Sequence, residues 1–289
     1  MKNLVSLFLI FICLLSACRH VDLHLVPQEK EIIVSDEISD FIGRVERALA
    51  QKKKTVVVFD IDDTLFNAQG HVGTSPWFYG MTKKLQQSGI AKESAQKIMG
   101  TIDKKLQAFV PVKMVEHSTL KAIEEWQKQK VMVLALTSRP SHLKEVTLSQ
   151  FKSLGIKLWH EDFHCIEQHW KNKQGHFSDG IIYAASSTSK ELIFDHFLQN
   201  LRVCNSNPEV IAYIDDQDKY VEQIKNSAAK SNSTFIGNIY KRAINFRQFD
   251  MEKANQELAQ IICKHDAYLI PSDLHRYFFS NLTLLCKHI

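Results

Sequence analysis

The chain of 289 residues is 45% hydrophobic and 24% charged, the make-up of an ordinary globular protein with core enough for one large domain or two small ones. A formal charge of +4, scattered along the sequence, gives no argument for a nucleic-acid partner, and no internal repeat or low-complexity tract is visible.

In chain order, Lys2 precedes an uncharged apolar run from Leu4 to Ala17 that ends in small residues, the pattern of a signal peptide and too short for a membrane span. Leu15-Ser16-Ala17-Cys18 resembles the bacterial lipobox. That likeness implies cleavage after residue 17, lipidation of Cys18, and an exported protein anchored to a lipid bilayer. Losing Lys2 leaves a charge of +3, and Arg19 in the second mature position favours the outer membrane by analogy with bacterial lipoproteins. A simple cleaved leader, with a periplasmic or secreted product, is the alternative. Export would expose Cys165, Cys204, Cys263 and Cys286 to an oxidising compartment, where four thiols allow three pairings. Cys263 with Cys286 is suggested only by their shared C-terminal segment, and buried free thiols remain the alternative.

Residues 18–35 lack a clean period and read as a tether. Ile38, Phe41, Ile42, Val45, Ala48 and Leu49 then recur at helical spacing, and Lys52 to Lys54 close the helix with positive charge. Val56 to Phe59 is a short β-branched run suited to a strand buried on both faces, and it stops abruptly at Asp60, Asp62 and Asp63. Three acids so close repel one another unless a cation neutralises them or one keeps a proton.

Ala68 to Pro76 is turn-rich, and two helices follow near 77–87 and 92–109; the family resemblance given below implies that this interval, about 68–112, is an insertion. Trp77, Phe78 and Tyr79 either line a pocket mouth or form the insertion's own core, the commoner fate of such side chains. A helix near 116–129 leads to a strand over 131–136 that ends in Thr137-Ser138-Arg139-Pro140, and a further helix spans 141–154. The segment holding His160, His164, Cys165, His169 and His176 allows a zinc site. It lacks a tight paired motif, however, and reads better as solvated histidines on an irregular insertion.

A short strand over 180–185 passes through a polar loop to Lys190 at a helix start. The strand over 208–214 ends in Asp215-Asp216-Gln217-Asp218, of which Asp218 suits a helix cap. A last strand spans 233–240, and 251–289 is helical, interrupted at Ile270-Pro271-Ser272, with apolar residues that suggest packing on the body. Strands alternating with helices predict an α/β fold with a parallel, doubly wound sheet. Two separate strands each ending in paired acids are hard to explain structurally and point to a divalent metal.

Asp60, Asp62 and Thr64 match the DxDxT signature of the haloacid dehalogenase (HAD)-like hydrolase superfamily, and Thr137, Lys190 and the acids after Ile214 resemble its second, third and fourth motifs. The resemblance spans roughly residues 36–240, within a domain placed at 36–249, and is nearest to exported or lipid-anchored acid phosphatases of that superfamily. It implies a Rossmann-like core with a small helical cap, and a phosphomonoesterase using Mg2+. Asp60 would be the nucleophile and Asp62 the general acid and base. Thr137 and Lys190 would bind the phosphate. The metal would be held by Asp60, the Asp62 carbonyl, and either Asp215 or Asp216. An ionised Asp60 beside a protonated Asp62 implies an acidic optimum. A small phosphorylated substrate is the expected partner, and a catalytically inert HAD-like surface module is the competing reading.

Overall fold

The structure, a computed structural model, describes residues 31–185, 188–265, 270–271 and 274–279. Its centre is β2 (Thr55–Phe59), whose five residues are all buried. The β-branched run gives this strand two apolar faces, and the sheet is built outward from it. On one side lie β8 (Val210–Asp215), β9 (Thr234–Tyr240) and β1 (Ile32–Ser35). On the other lie β5 (Met132–Thr137), β7 (Ile181–Tyr183) and β6 (His176–Ser178). Every pairing in this seven-stranded sheet is parallel except β6 with β7.

Successive residues of β2 face opposite layers. Val57 and Phe59 pack with Phe41 and Val45 of α1 (Ile38–Ala50) and with Ile123 and Trp126 of α4 (Ser118–Lys128), next to α5 (Lys144–Ser153). Val56 and Val58 pack against the opposite layer. It comprises α6 (Phe163–His169), α7 (Lys190–Val203) and α8 (Asp218–Lys230), through residues such as Ile166, Phe194, Phe197 and Ile224. This is the α/β, doubly wound architecture expected from the alternation of elements.

A two-stranded antiparallel ribbon, β3 (Phe66–Ala68) with β4 (Val112–Met114), rises from the end of β2. Between its strands run α2 (Ser75–Gln87) and α3 (Lys92–Leu106), in the interval assigned to a cap. Thr74 caps α2 through its side chain, and Pro76 occupies the first turn, where a missing N–H costs nothing. After β9 come α9 (Arg242–Asn245), α10 (Met251–His265) and the short α11 (His275–Phe278).

Several expectations change. Ile32–Ser35 is an edge strand paired with Gly237 to Tyr240, so the folded unit begins inside the supposed tether. Ala254, Leu258, Ala259 and Ile262 of α10 join Trp77, Met81, Met99, Ile102 and Leu106 in one apolar cluster. The C-terminal helix therefore packs on the insertion rather than on the sheet, because the outer faces of α2 and α3 need an apolar partner. The histidine-rich segment is partly regular: His164 and His169 lie on α6, and His176 begins β6. Cys165 is disulfide-bonded to Cys204 at the end of α7, which removes the one thiolate the zinc reading offered. Cys263 is also disulfide-bonded. Cys286, once suggested as its partner, and the leader with Cys18 lie outside the described residues. No helix among the described residues is long and apolar enough to cross a membrane.

Candidate active site

The tips of β2 and β8 are tied together by backbone. Asp60 N donates to Ile214 O (2.9 Å), and Asp216 N donates to the Thr64 hydroxyl (3.1 Å). The chain turns sharply after Asp60, with Asp63 in the left-handed region (φ 61°), which Asp tolerates better than most residues. One carboxylate oxygen from each of Asp60, Asp215 and Asp216 lies within 4.8 Å of the others, and all three residues are buried.

Lys190, the first residue of α7, enters from the side of β8. Its Nζ donates to Asp60 Oδ1 (2.6 Å), Asp215 Oδ2 (2.8 Å) and the Tyr213 hydroxyl (3.1 Å), and lies 4.4 Å from the centre of the Tyr220 ring. Ser189 positions it by capping the helix, accepting from Glu191 N. Burial works against the ammonium, but Asp215 and Asp60 outweigh it and hold Lys190 above the ordinary lysine range. Burial also drives the Asp60 carboxyl well up; Lys190 opposes this, while Asp215, Asp216 and Asp62 add to it. Asp216 is pushed up to about 7 by burial and by Asp215.

Three buried carboxylates facing one lysine leave an excess of negative charge, which a hard divalent cation would offset. The all-oxygen donor set suits Mg2+ better than a softer transition metal. Both oxygens of Asp215 are already engaged: Oδ2 accepts from Lys190 and Tyr213, and Oδ1 from Gln217 N (2.7 Å). Asp216 accepts at Oδ2 from the Gln217 side chain. Asp218 is not a side-chain cap; it begins α8 and pairs with Lys241 (2.7 Å).

Asp62 points elsewhere. Arg139 Nε donates to Asp62 Oδ2 (3.0 Å) and Nη2 to Oδ1 (2.7 Å), a bidentate pair in which the arginine is buried and the Asp62 side chain is 54% exposed. Beneath it, Arg139 Nη1 donates to Thr147 Oγ1 (3.1 Å) and Gln150 Oε1 (2.6 Å), and the guanidinium lies over the Phe66 ring. Thr137 is buried at the tip of β5, and its hydroxyl accepts from Arg139 N (3.1 Å). Asp63 pairs with Arg247 and accepts from the Ser75 hydroxyl (2.7 Å).

Between this surface and the insertion lies a cavity of about 210 Å³ whose lining includes Asp62, Asp63, Phe78, Tyr79, Asp103 and Gln107. The three aromatics divide: Trp77 is core of the insertion, whereas Phe78 and Tyr79 line the cavity. Asp103 is pushed up to about 6 by burial and by Asp62.

The structure thus gathers Asp60, Lys190, Asp215 and Asp216, with Asp62 set apart on Arg139. Sequence reasoning missed Arg139, Gln150, Tyr213 and the Asp63–Arg247 pair. Only Arg139 carried a signal, as a charged residue two positions beyond an apolar strand, beside Thr137.

The chain is 25% identical over 243 residues to a Chlamydia pneumoniae protein named "Putative outer membrane protein", an alignment covering 83% of this chain and 85% of that one. A second C. pneumoniae protein of the same name is 25% identical over 203 residues, covering 66% and 73%. Among solved structures, a Thermotoga maritima protein described as a "putative beta-phosphoglucomutase" is 14% identical, with a TM-score of 0.37, and covers 66% of this chain and 97% of that one. A class C acid phosphatase from Bacillus anthracis with tungstate bound is 15% identical, with a TM-score of 0.34, covering 78% and 85%. Structural likeness this slight carries no argument, and the site is read from its own geometry. A family model matches residues 35–266, four-fifths of the chain, and the protein belongs to the family described as "Protein of unknown function (DUF2608)".

Proposed function

We propose that this protein is a metal-dependent phosphomonoester hydrolase acting outside the cytoplasm. The observation that carries the reading is the convergence of Asp60, Asp215 and Asp216 on one point beside Lys190, at the carboxyl ends of adjacent parallel strands. Mg2+, held by Asp60, the Asp62 carbonyl and Asp215 or Asp216, would supply charge neutralisation for the phosphoryl group.

The chain's own residues do the rest. Asp60 attacks phosphorus, so an Asp60–phosphorus bond forms as the bond to the leaving oxygen breaks. Asp62 gives that oxygen a proton, then takes one from the water that splits the aspartyl-phosphate and releases inorganic phosphate. Lys190 holds Asp60 and Asp215 in place and offsets charge on the phosphoryl oxygens. The Thr137 hydroxyl, which accepts from Arg139 N, keeps its own hydrogen to donate to the phosphate. For Asp62 to act as the acid, one of its oxygens must be freed from Arg139 while the other stays held, so the arginine keeps the carboxyl oriented as the acid works.

The Cys165–Cys204 disulfide supports an oxidising compartment, and the relatives' names agree with an envelope location. Labelled fatty acid incorporated by the wild type and not by Cys18→Ser would support the lipid anchor; equal incorporation would reject it.

The test of activity is a screen of phosphate monoesters with purified mature protein. Turnover should vanish with Asp60→Asn and with chelator. Activity that survives Asp60→Asn, or that needs no metal, rejects the mechanism. The Arg139 grip on Asp62 is what favours the second reading, an inert surface module. Failure of every ester to turn over would support it.

A further inference from the structure

Among the described residues, one side chain links the Arg139–Asp62 pair to the cap by hydrogen bonds. Gln150, buried on α5, accepts from Arg139 Nη1 at its Oε1 (2.6 Å) and donates from Nε2 to the backbone carbonyl of Gln107 (3.0 Å). Gln107 is the residue that closes α3 of the cap. A carbonyl at a helix end has no partner within its own helix, and here the core supplies one. The two partners fix the orientation of the Gln150 amide: a guanidinium requires its oxygen and a carbonyl requires its N–H. The link therefore runs without a break from cap carbonyl to Gln150, to Arg139, to Asp62. The Gln107 side chain also donates to Asp103 (3.3 Å), so the same residue borders the cavity into which a substrate's leaving group would enter.

We infer that Gln150 is a positioning residue which couples the seating of the cap to the Arg139 grip on Asp62. When the cap shifts, the Gln107 carbonyl moves relative to the core. Gln150 must then either follow it or release it, and Arg139 loses or changes its only amide acceptor. Arg139 has two other constraints, the Thr147 hydroxyl and the Phe66 ring, which keep the guanidinium in place while its hold on Asp62 is altered. This inference rests on the phosphatase reading for its kinetic consequence, but the link itself does not depend on turnover.

Two substitutions separate coupling from mere support of the arginine. Gln150→Met removes both hydrogen bonds at similar volume. Gln150→Glu keeps an acceptor for Arg139 and replaces the donor to Gln107 with an oxygen that repels the carbonyl. Both should lower kcat on an aryl phosphate about tenfold with KM within about twofold, and both should shift the pH profile. Adding Gln150→Met to Arg139→Lys should cost nothing beyond Arg139→Lys alone, because the relay is already cut. Wild-type kinetics in Gln150→Glu, or full additivity in the double variant, would overturn the inference while leaving the phosphatase intact.

A readout without turnover uses the Arg139 Nε–H resonance in Asp60→Asn protein. It should move in both Gln150 variants, and also in Gly73→Ala, which strains the cap loop at a positive φ without touching the relay. A resonance indifferent to Gln150→Glu and to Gly73→Ala would refute the coupling even if no ester is ever hydrolysed.

Discussion

Lys190 lies between Asp60 and Asp215, its ammonium 2.6 Å from one carboxylate and 2.8 Å from the other, with all three side chains at most 9% exposed. A buried charge triad of this kind gives little net stability when intact, but losing one member is costly, because the remaining charges have no water to turn to. Lys190→Met should destabilise the fold by about 3–5 kcal/mol at neutral pH. The urea midpoint should recover in part as the pH is lowered and the stranded carboxyls take up protons. A midpoint unchanged at neutral pH would show that the lysine is dispensable for folding.

Arg139 should be intolerant of a conservative change. Lysine keeps the charge but loses the fork that grips both Asp62 oxygens and reaches Gln150. Under the proposed mechanism Arg139→Lys lowers kcat by about 10- to 100-fold with little change in KM, since the lost order matters to the transition state. Steady-state kinetics on an aryl phosphate distinguishes this from an increase in KM.

Asp103 opposes folding at neutral pH. Its carboxyl is pushed up to about 6, while an unfolded aspartate titrates near 3.8. Between those values the unfolded chain releases its proton and the folded one does not, so stability falls as pH rises and the penalty is complete above pH 6. Two pH units correspond to about 3 kcal/mol. Asp103→Asn should therefore stabilise the protein by about that much at pH 8 and by about half as much at pH 5, as measured by denaturant unfolding. The neighbouring charges are Asp62, Arg139 and Lys104, with Gln107 in hydrogen-bond contact.

The Cys165–Cys204 bond closes a loop of 39 residues, from α6 to the far end of α7. Restricting the unfolded chain over that length is worth about 4 kcal/mol in the chain-entropy account. Replacing both cysteines with serine should lower stability accordingly. Reductant should cost the wild type more than the variant by that same amount, since the Cys263 bond is open to reduction in both.

The α/β alternation and the strand tips at Asp60, Thr137 and Asp215 were legible because buried parallel strands read as uninterrupted apolar runs that end in polar residues. The acids at 215 and 216 could not be told apart, since their roles depend on which oxygens Tyr213, Lys190 and Gln217 occupy, and no local pattern encodes that. Ile32–Ser35 escaped notice because a four-residue edge strand leaves no period to detect. Which part of the body receives α10 was not legible for a related reason: an amphipathic face announces that it will be covered but not by what. Arg139 and Gln150 were invisible as a unit because they join only in three dimensions, one on a strand end and the other on a helix.

Glu257 on α10 accepts from the backbone N–H groups of His71 (2.7 Å) and Val72 (3.0 Å), and a Cβ on Gly70 would fall 2.4 Å from that same carboxylate. The apolar core of the insertion is thus assembled from two stretches of chain that are far apart in sequence, one following β2 and the other following β9. Excising residues 68–112 would expose the apolar face of α10, and removing α10 would expose the facing side chains of α2 and α3. That core can close only after α10, made later than every strand of the sheet described above, has emerged and docked on α2 and α3.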